Sequence, residues 1–145
     1  MNMERLLKSV KAHEGYKDHV YLDTRNKRTV GVGHLCVEDH WEDGVAYPEE
    51  MLMKVLKDDL KNAIRGAEEL CSDCPVLEDQ AKEIITEMVF QLGKTGVSKF
   101  RNMWKALGQD PPNYERASLE MLDSRWAKQT PNRAKEMSDH MGSLA

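Results

Sequence analysis

The stretch from Pro48 to about Leu70 constrains this chain most. Leu52, Leu56, Leu60, Ile64 and Ala67 recur along it at helical spacing. Pro48 followed by Glu49 and Glu50 suits a helix start, because a first turn tolerates proline and favours acidic side chains. Such a helix reaches roughly 34 Å at ~1.5 Å per residue. In a chain of 145 residues it holds the N-terminal and C-terminal segments apart. One domain in three parts is expected: a lobe over 1–47, a connecting helix over about 48–70, and a lobe over 71–145.

The flanks carry different patterns. Met3, Leu6, Leu7 and Val10 fall at i, i+3, i+4 and i+7, which predicts an amphipathic helix stopping near His13–Gly15. From Tyr16 to Val37, turn residues at Asp23–Asn26 and Gly31–Gly33 punctuate β-branched and aromatic positions. Two or three short antiparallel strands are expected there, then a loop over Glu38–Ala46. Beyond a break at Cys71–Pro75, the residues Ala81, Ile84, Ile85, Met88, Val89 and Leu92 mark a strongly apolar helix ended by Gly93. Further helices are expected around Val97–Leu107, Pro112–Leu122 and Asn132–His140. The fold class is therefore α+β, a small antiparallel sheet lobe joined by a long helix to a helical C-terminal lobe.

Composition narrows the function classes. Hydrophobic residues make up 40% and charged residues 32%, with both signs interspersed, which suits a packed core rather than disorder. A net charge of −4 argues against nucleic acid as a partner, since that partner needs a basic surface. No run of about 18 apolar residues exists, so no stable membrane insertion is expected. Met1 to Lys11 carries Glu4, Arg5, Lys8 and Lys11 and lacks the apolar centre of a signal peptide. Synthesis and retention in a cytoplasm are expected.

Cys36, Cys71 and Cys74 are odd in number, and reduced thiols are expected. Cys36 and His40 with Cys71 and Cys74 are zinc ligands by type. A continuous helix puts its ends ~30 Å apart, and Cys36 lies before it while Cys71 lies after it, so no metal is expected. A local Cys71–Cys74 disulfide stays open.

Three residues suggest chemistry. Glu14 sits at a helix end, Asp23 in a sheet turn nine residues on, and Thr29 on the next strand. Two carboxyl groups and a hydroxyl facing one cleft are the kit for breaking a glycosidic bond. One acid protonates the leaving oxygen, and a carboxylate opposite stabilises positive charge, orients a water or attacks. Spacing alone does not decide this, because Asp in turns and Glu at helix ends are also common structural choices.

The surrounding strings are more specific. His13-Glu14-Gly15, Tyr21-Leu22-Asp23-Thr24 and Thr29-Val30-Gly31-Val32-Gly33-His34-Leu35 resemble the active-site region of the phage lysozymes typified by T-even bacteriophages. Met88 to Val97 is similar to that family's core helix and the turn after it. Ser124-Arg125-Trp126 and Gln129 to Lys135 are similar to its late signature. The resemblance runs in order along nearly the whole chain. Where that family commonly has Asn before its Met-Val-Phe string, this chain has Glu87, a third carboxylate that could touch the groove or be solvated.

The resemblance implies a lysozyme-like fold and a muramidase. Its substrate would be peptidoglycan, cut at the β-1,4 bond between N-acetylmuramic acid and N-acetylglucosamine by an inverting mechanism. Glu14 would be the general acid. Asp23 would hold the water or stabilise the cation, and Thr29 would position that water. His34 would support the site by hydrogen bonding, Arg133 would reach Glu14 as an ion pair, and Leu35, Phe90 and Gln91 would line the substrate groove. The implied biology is a monomeric endolysin that waits in the host cytoplasm and depends on a holin-type pore to reach the wall. Lytic transglycosylase and non-catalytic wall-binding relative are the alternatives. A tail-associated lysozyme used at entry is also conceivable.

Overall fold

A computed structural model describes residues 1–145. In chain order the elements are α1 (Met3–Glu14), β1 (Lys17–Leu22), β2 (Arg28–Gly31), β3 (His34–Leu35), α2 (Glu49–Cys71), α3 (Asp79–Ser98), α4 (Arg101–Leu107), α5 (Tyr114–Leu122), α6 (Arg125–Gln129) and α7 (Pro131–Gly142). The architecture is α+β, with most of the chain helical. The residues form two compact units, Met3–Asn62 and Met1–Asn2 with Ala63–Ala145. The division falls inside α2, a single helix from Glu49 to Cys71.

In the unit Met3–Asn62, α1 buries Leu6 and Val10. It ends because Gly15 takes φ +73 and its amide donates to the Lys11 carbonyl at 2.9 Å. A left-handed residue one past the last turn closes a helix this way, and glycine does so without steric cost. The three strands form an antiparallel sheet in the order β1-β2-β3. Tyr21 pairs with Thr29, and Thr29 with Leu35. Paired residues share a sheet face, so Tyr21, Thr29 and Leu35 form one row across the strands. Val30, paired with His34, alternates to the other side and packs with Trp41 and Leu52 in a small apolar cluster.

In the other unit, one continuous core joins Ala63 and Ala67 of α2 to residues of α3 through α7, among them Ile85, Met88, Met103, Met121, Trp126 and Met141. Burying each such large side chain stabilises by roughly 1.5–3 kcal/mol. Gly93 does not end α3: it sits inside it at φ +80, a kink after which helix resumes to Ser98. The helix expected over Val97–Leu107 starts later, at Arg101, because Phe100 is non-helical at ψ 62. Asn113 opens α5 by accepting the Arg116 amide at 2.9 Å. The short α6 falls between the expected helices. Ser124 caps it by accepting the Ala127 amide at 3.1 Å. No helix is long and apolar enough to cross a membrane.

Candidate active site

Glu14 is the last residue of α1, and the backbone of the β2–β3 turn comes up against its side chain. Gly33 lies in that turn at φ +67, and a Cβ built there would stand 2.6 Å from Glu14 Oε2 and 2.9 Å from its Cδ. Only glycine permits this approach. Gly31, two residues earlier, would place a Cβ in ordinary contact with Leu52, at 3.4 Å. The Gly-x-Gly spacing thus serves two neighbours: one glycine meets the α2 core, the other seats the Glu14 carboxyl.

Asp23 opens the β1–β2 hairpin loop and organises it. Its Oδ1 accepts the amides of Arg25 and Lys27, both at 2.8 Å. Its own amide donates to the Lys27 carbonyl at 2.9 Å, and the Asn26 amide to the Asp23 carbonyl at 3.0 Å. Aspartate favours such turns because its short side chain reaches its own downstream amides. Thr29 is 2% exposed, and its hydroxyl donates to the Lys27 carbonyl at 2.9 Å. The hydroxyl oxygen keeps its accepting capacity.

Tyr21 ties these groups together. Burial raises its phenol above the ordinary value, with Glu14 and then Asp23 adding to the rise. Both carboxyl groups therefore act on the phenol of a residue that pairs with Thr29 in the sheet row. The Lys17 ammonium lies 4.4 Å from the centre of the Tyr21 ring. Leu35 ends the row, 43% exposed. Within this unit Thr29 lies between Tyr21 and Leu35 in the row, and Glu14 and Asp23 both raise the Tyr21 phenol; Tyr21 is part of the sequence motif, but sequence reasoning did not single it out.

His34 is on the opposite face. Its Nδ1 is 2.7 Å from Asp59 Oδ2 on α2, and its Nε2 is 2.7 Å from Glu38 Oε1. Glu38 also accepts the indole of Trp41 at 3.1 Å. The hydrogen bond to Asp59 does most to raise the imidazole to about 9, Glu38 adds to it, and burial opposes both. An imidazolium with both nitrogens donating is the form this clamp holds at neutral pH. It joins β3 to α2 and to the loop after β3.

Phe90, Gln91 and Arg133 belong to the other unit. Phe90 packs against its core. Gln91 bridges side chains there: its Oε1 accepts the Trp126 indole at 2.8 Å, and its Nε2 donates to Thr130 Oγ1 at 3.4 Å. Arg133, in the first turn of α7, places its guanidinium 3.7 Å from Glu87 Oε2. Both side chains are nearly enclosed, at 11% and 3% exposure. Glu87 is therefore not a solvated surface charge. No cluster of three or more His, Cys, Asp or Glu side chains could hold a metal ion.

The phage lysozyme family profile matches residues 11–139. Two curated relatives from Dictyostelium discoideum, probable T4-type lysozyme 2 and probable T4-type lysozyme 1, are each 28% identical to this chain over 148 residues, covering 86% of either partner. The pre-baseplate central spike protein Gp5 of Enterobacteria phage T4 is 27% identical over 161 residues, a match taking in 95% of this chain and 27% of that protein.

Proposed function

The chain belongs to the phage lysozyme family, and from that premise we propose that it is a muramidase, hydrolysing the β-1,4 bond between N-acetylmuramic acid and N-acetylglucosamine in peptidoglycan. The observation that carries this reading is the Glu14 carboxyl seated against the β2–β3 turn at Gly33, in the same small unit whose sheet carries Asp23 in its first hairpin and Thr29 paired with Tyr21. Glu14 gives its proton to the leaving glycosidic oxygen. Asp23 faces the positive charge that grows on the sugar and orients the attacking water, with Thr29 Oγ1 accepting a hydrogen bond from that water. Attack on the face opposite the departing oxygen inverts the anomeric centre. No cofactor enters.

The reading extends to His34 as the support that holds β3, and to Leu35, Phe90, Gln91 and Arg133 as substrate-contacting or supporting residues. In the cell, a monomeric endolysin is proposed, held in the host cytoplasm until a holin-type pore admits it to the wall. Expression inside bacteria with and without such a pore tests that role: lysis that needs no pore overturns it.

The chemistry is tested with purified peptidoglycan. Wild type should release reducing ends and Glu14→Gln should not. Equal release by the two overturns the role of Glu14. Anhydromuramic ends in the products would make the reaction a transglycosylation, and binding without product would make the chain a wall-binding relative. The anomer first formed, read by NMR, decides inversion against retention.

A further inference from the structure

Cys71 closes α2, and Cys74 stands three residues on in the turn that leaves it. The Cys74 amide donates to the Cys71 carbonyl at 3.0 Å. An i to i+3 turn of this kind keeps the two Cα atoms within about 7 Å, and disulfides form across about 4.4–6.8 Å. Both side chains line one cavity of about 360 Å³, together with Ala67, Leu77, Lys82 and Thr86. Both thiols are free and half-buried. The proposed hydrolysis uses neither.

We propose that Cys71 and Cys74 are a dithiol site that takes an external disulfide, R–S–S–R, as its oxidant and closes to an intramolecular disulfide at the C-terminal end of α2. Cys74, the less enclosed of the two, attacks one sulfur of R–S–S–R; that bond breaks, and the departing thiolate takes the proton Cys74 gave up. Cys71 Sγ then attacks Cys74 Sγ in the mixed disulfide, and the second R–S⁻ leaves with the Cys71 proton. Two thiols lose two electrons and one external disulfide becomes two R–SH. Burial, with Cys74 adding to it, pushes the Cys71 thiol up to about 11 against the opposing pull of Lys82. Burial and then Asp73 raise Cys74. Thiolate is therefore scarce at neutral pH, so the first attack is slow and quickens as pH rises. Closure shortens the unfolded chain's freedom over a four-residue ring, a small but positive contribution to stability.

The test uses the whole chain carrying Cys36→Ser, so that only the pair can react. After incubation with oxidised glutathione and alkylation, intact mass should fall by two hydrogens with no glutathione retained. Peptide mapping should place the bond between residues 71 and 74. Tm should rise by a few degrees and return on reduction. Cys71→Ser should instead hold one glutathione on Cys74. Retention of glutathione by the intact pair, full alkylation of both thiols, an intermolecular dimer, or no reaction of Cys74 in the Cys71→Ser chain would each overturn the proposal. None of these readouts depends on wall hydrolysis, so the muramidase reading stands or falls separately.

Discussion

Gly33 and Glu14 are in direct apposition: a methyl group on Gly33 would stand 2.6 Å from the Glu14 carboxylate oxygen Oε2. Either the carboxyl or the turn must move to admit it. Gly33→Ala and Gly31→Ala both place alanine at positive φ, and each should cost about 1–2 kcal/mol of stability. Only Gly33→Ala should also lose turnover, by more than about tenfold, because small misplacements of a reacting group are costly. Thermal melts beside peptidoglycan assays separate the two effects; equal turnover in both variants would remove Gly33 from the site.

Asp23 has a structural and a chemical task that mutation can separate. Asparagine keeps a carbonyl oxygen for the Arg25 and Lys27 amides and removes the charge. Asp23→Asn should leave Tm nearly unchanged and lower kcat by at least about 100-fold. Asp23→Ala should lower both, with a stability loss of about 0.5–1.5 kcal/mol, because water partly replaces the carboxylate at these exposed amides. An asparagine variant with wild-type kcat would leave Asp23 as a turn residue only.

His34 makes stability depend on pH. Its folded value lies near 9 against an ordinary 6.5, so folding favours the proton. The contribution is complete below about 6.5 and is lost as pH rises through about 9. It should amount to about 2 kcal/mol, less than the full shift implies, because Glu38 stays 37% exposed and its pairing is screened. Denaturant titrations of wild type and His34→Asn should differ most near pH 6 and converge near pH 10. A gap that widens with pH would contradict the clamp.

Gln91 holds the indole N–H of Trp126, a residue 3% exposed. Gln91→Leu keeps the bulk and leaves that donor without its acceptor. A loss of about 1–3 kcal/mol is expected, with the indole fluorescence of the native state altered. Unchanged stability would mean that water or a neighbour answers the indole as well as Gln91 does.

Periodicity made the long helix legible, because α2 keeps apolar positions on one stripe through Leu52, Leu56 and Leu60. Gly15 and the β-branched run between Asp23 and Gly33 similarly announced the helix end and the sheet. The short helix α6 was not legible: five residues are too few to display a period, and only the Ser124 cap marks it. Nor was the burial of Glu83, Thr86 and Glu87 on α3. A helix enclosed on all sides hides polar residues once partners such as Arg133 meet them, and those partners are distant in sequence. In the site, residue types and motif strings pointed to Glu14, Asp23 and Thr29. The apposition of Gly33 and Glu14 was illegible because it joins a helix end to a turn that only folding brings together. The double attachment of His34 was illegible for the same reason, with Asp59 lying 25 residues away.

The hairpin loop at Asp23 has a wider consequence. With Oδ1 held by two amides of its own loop, the carboxylate is oriented by residues 23–27. Such a loop is a transferable cassette. Moved with its flanking strand ends onto another antiparallel hairpin, it would bring along an aimed negative charge. The remaining task for evolution, or for a protein engineer, would be to supply an acid at the right distance.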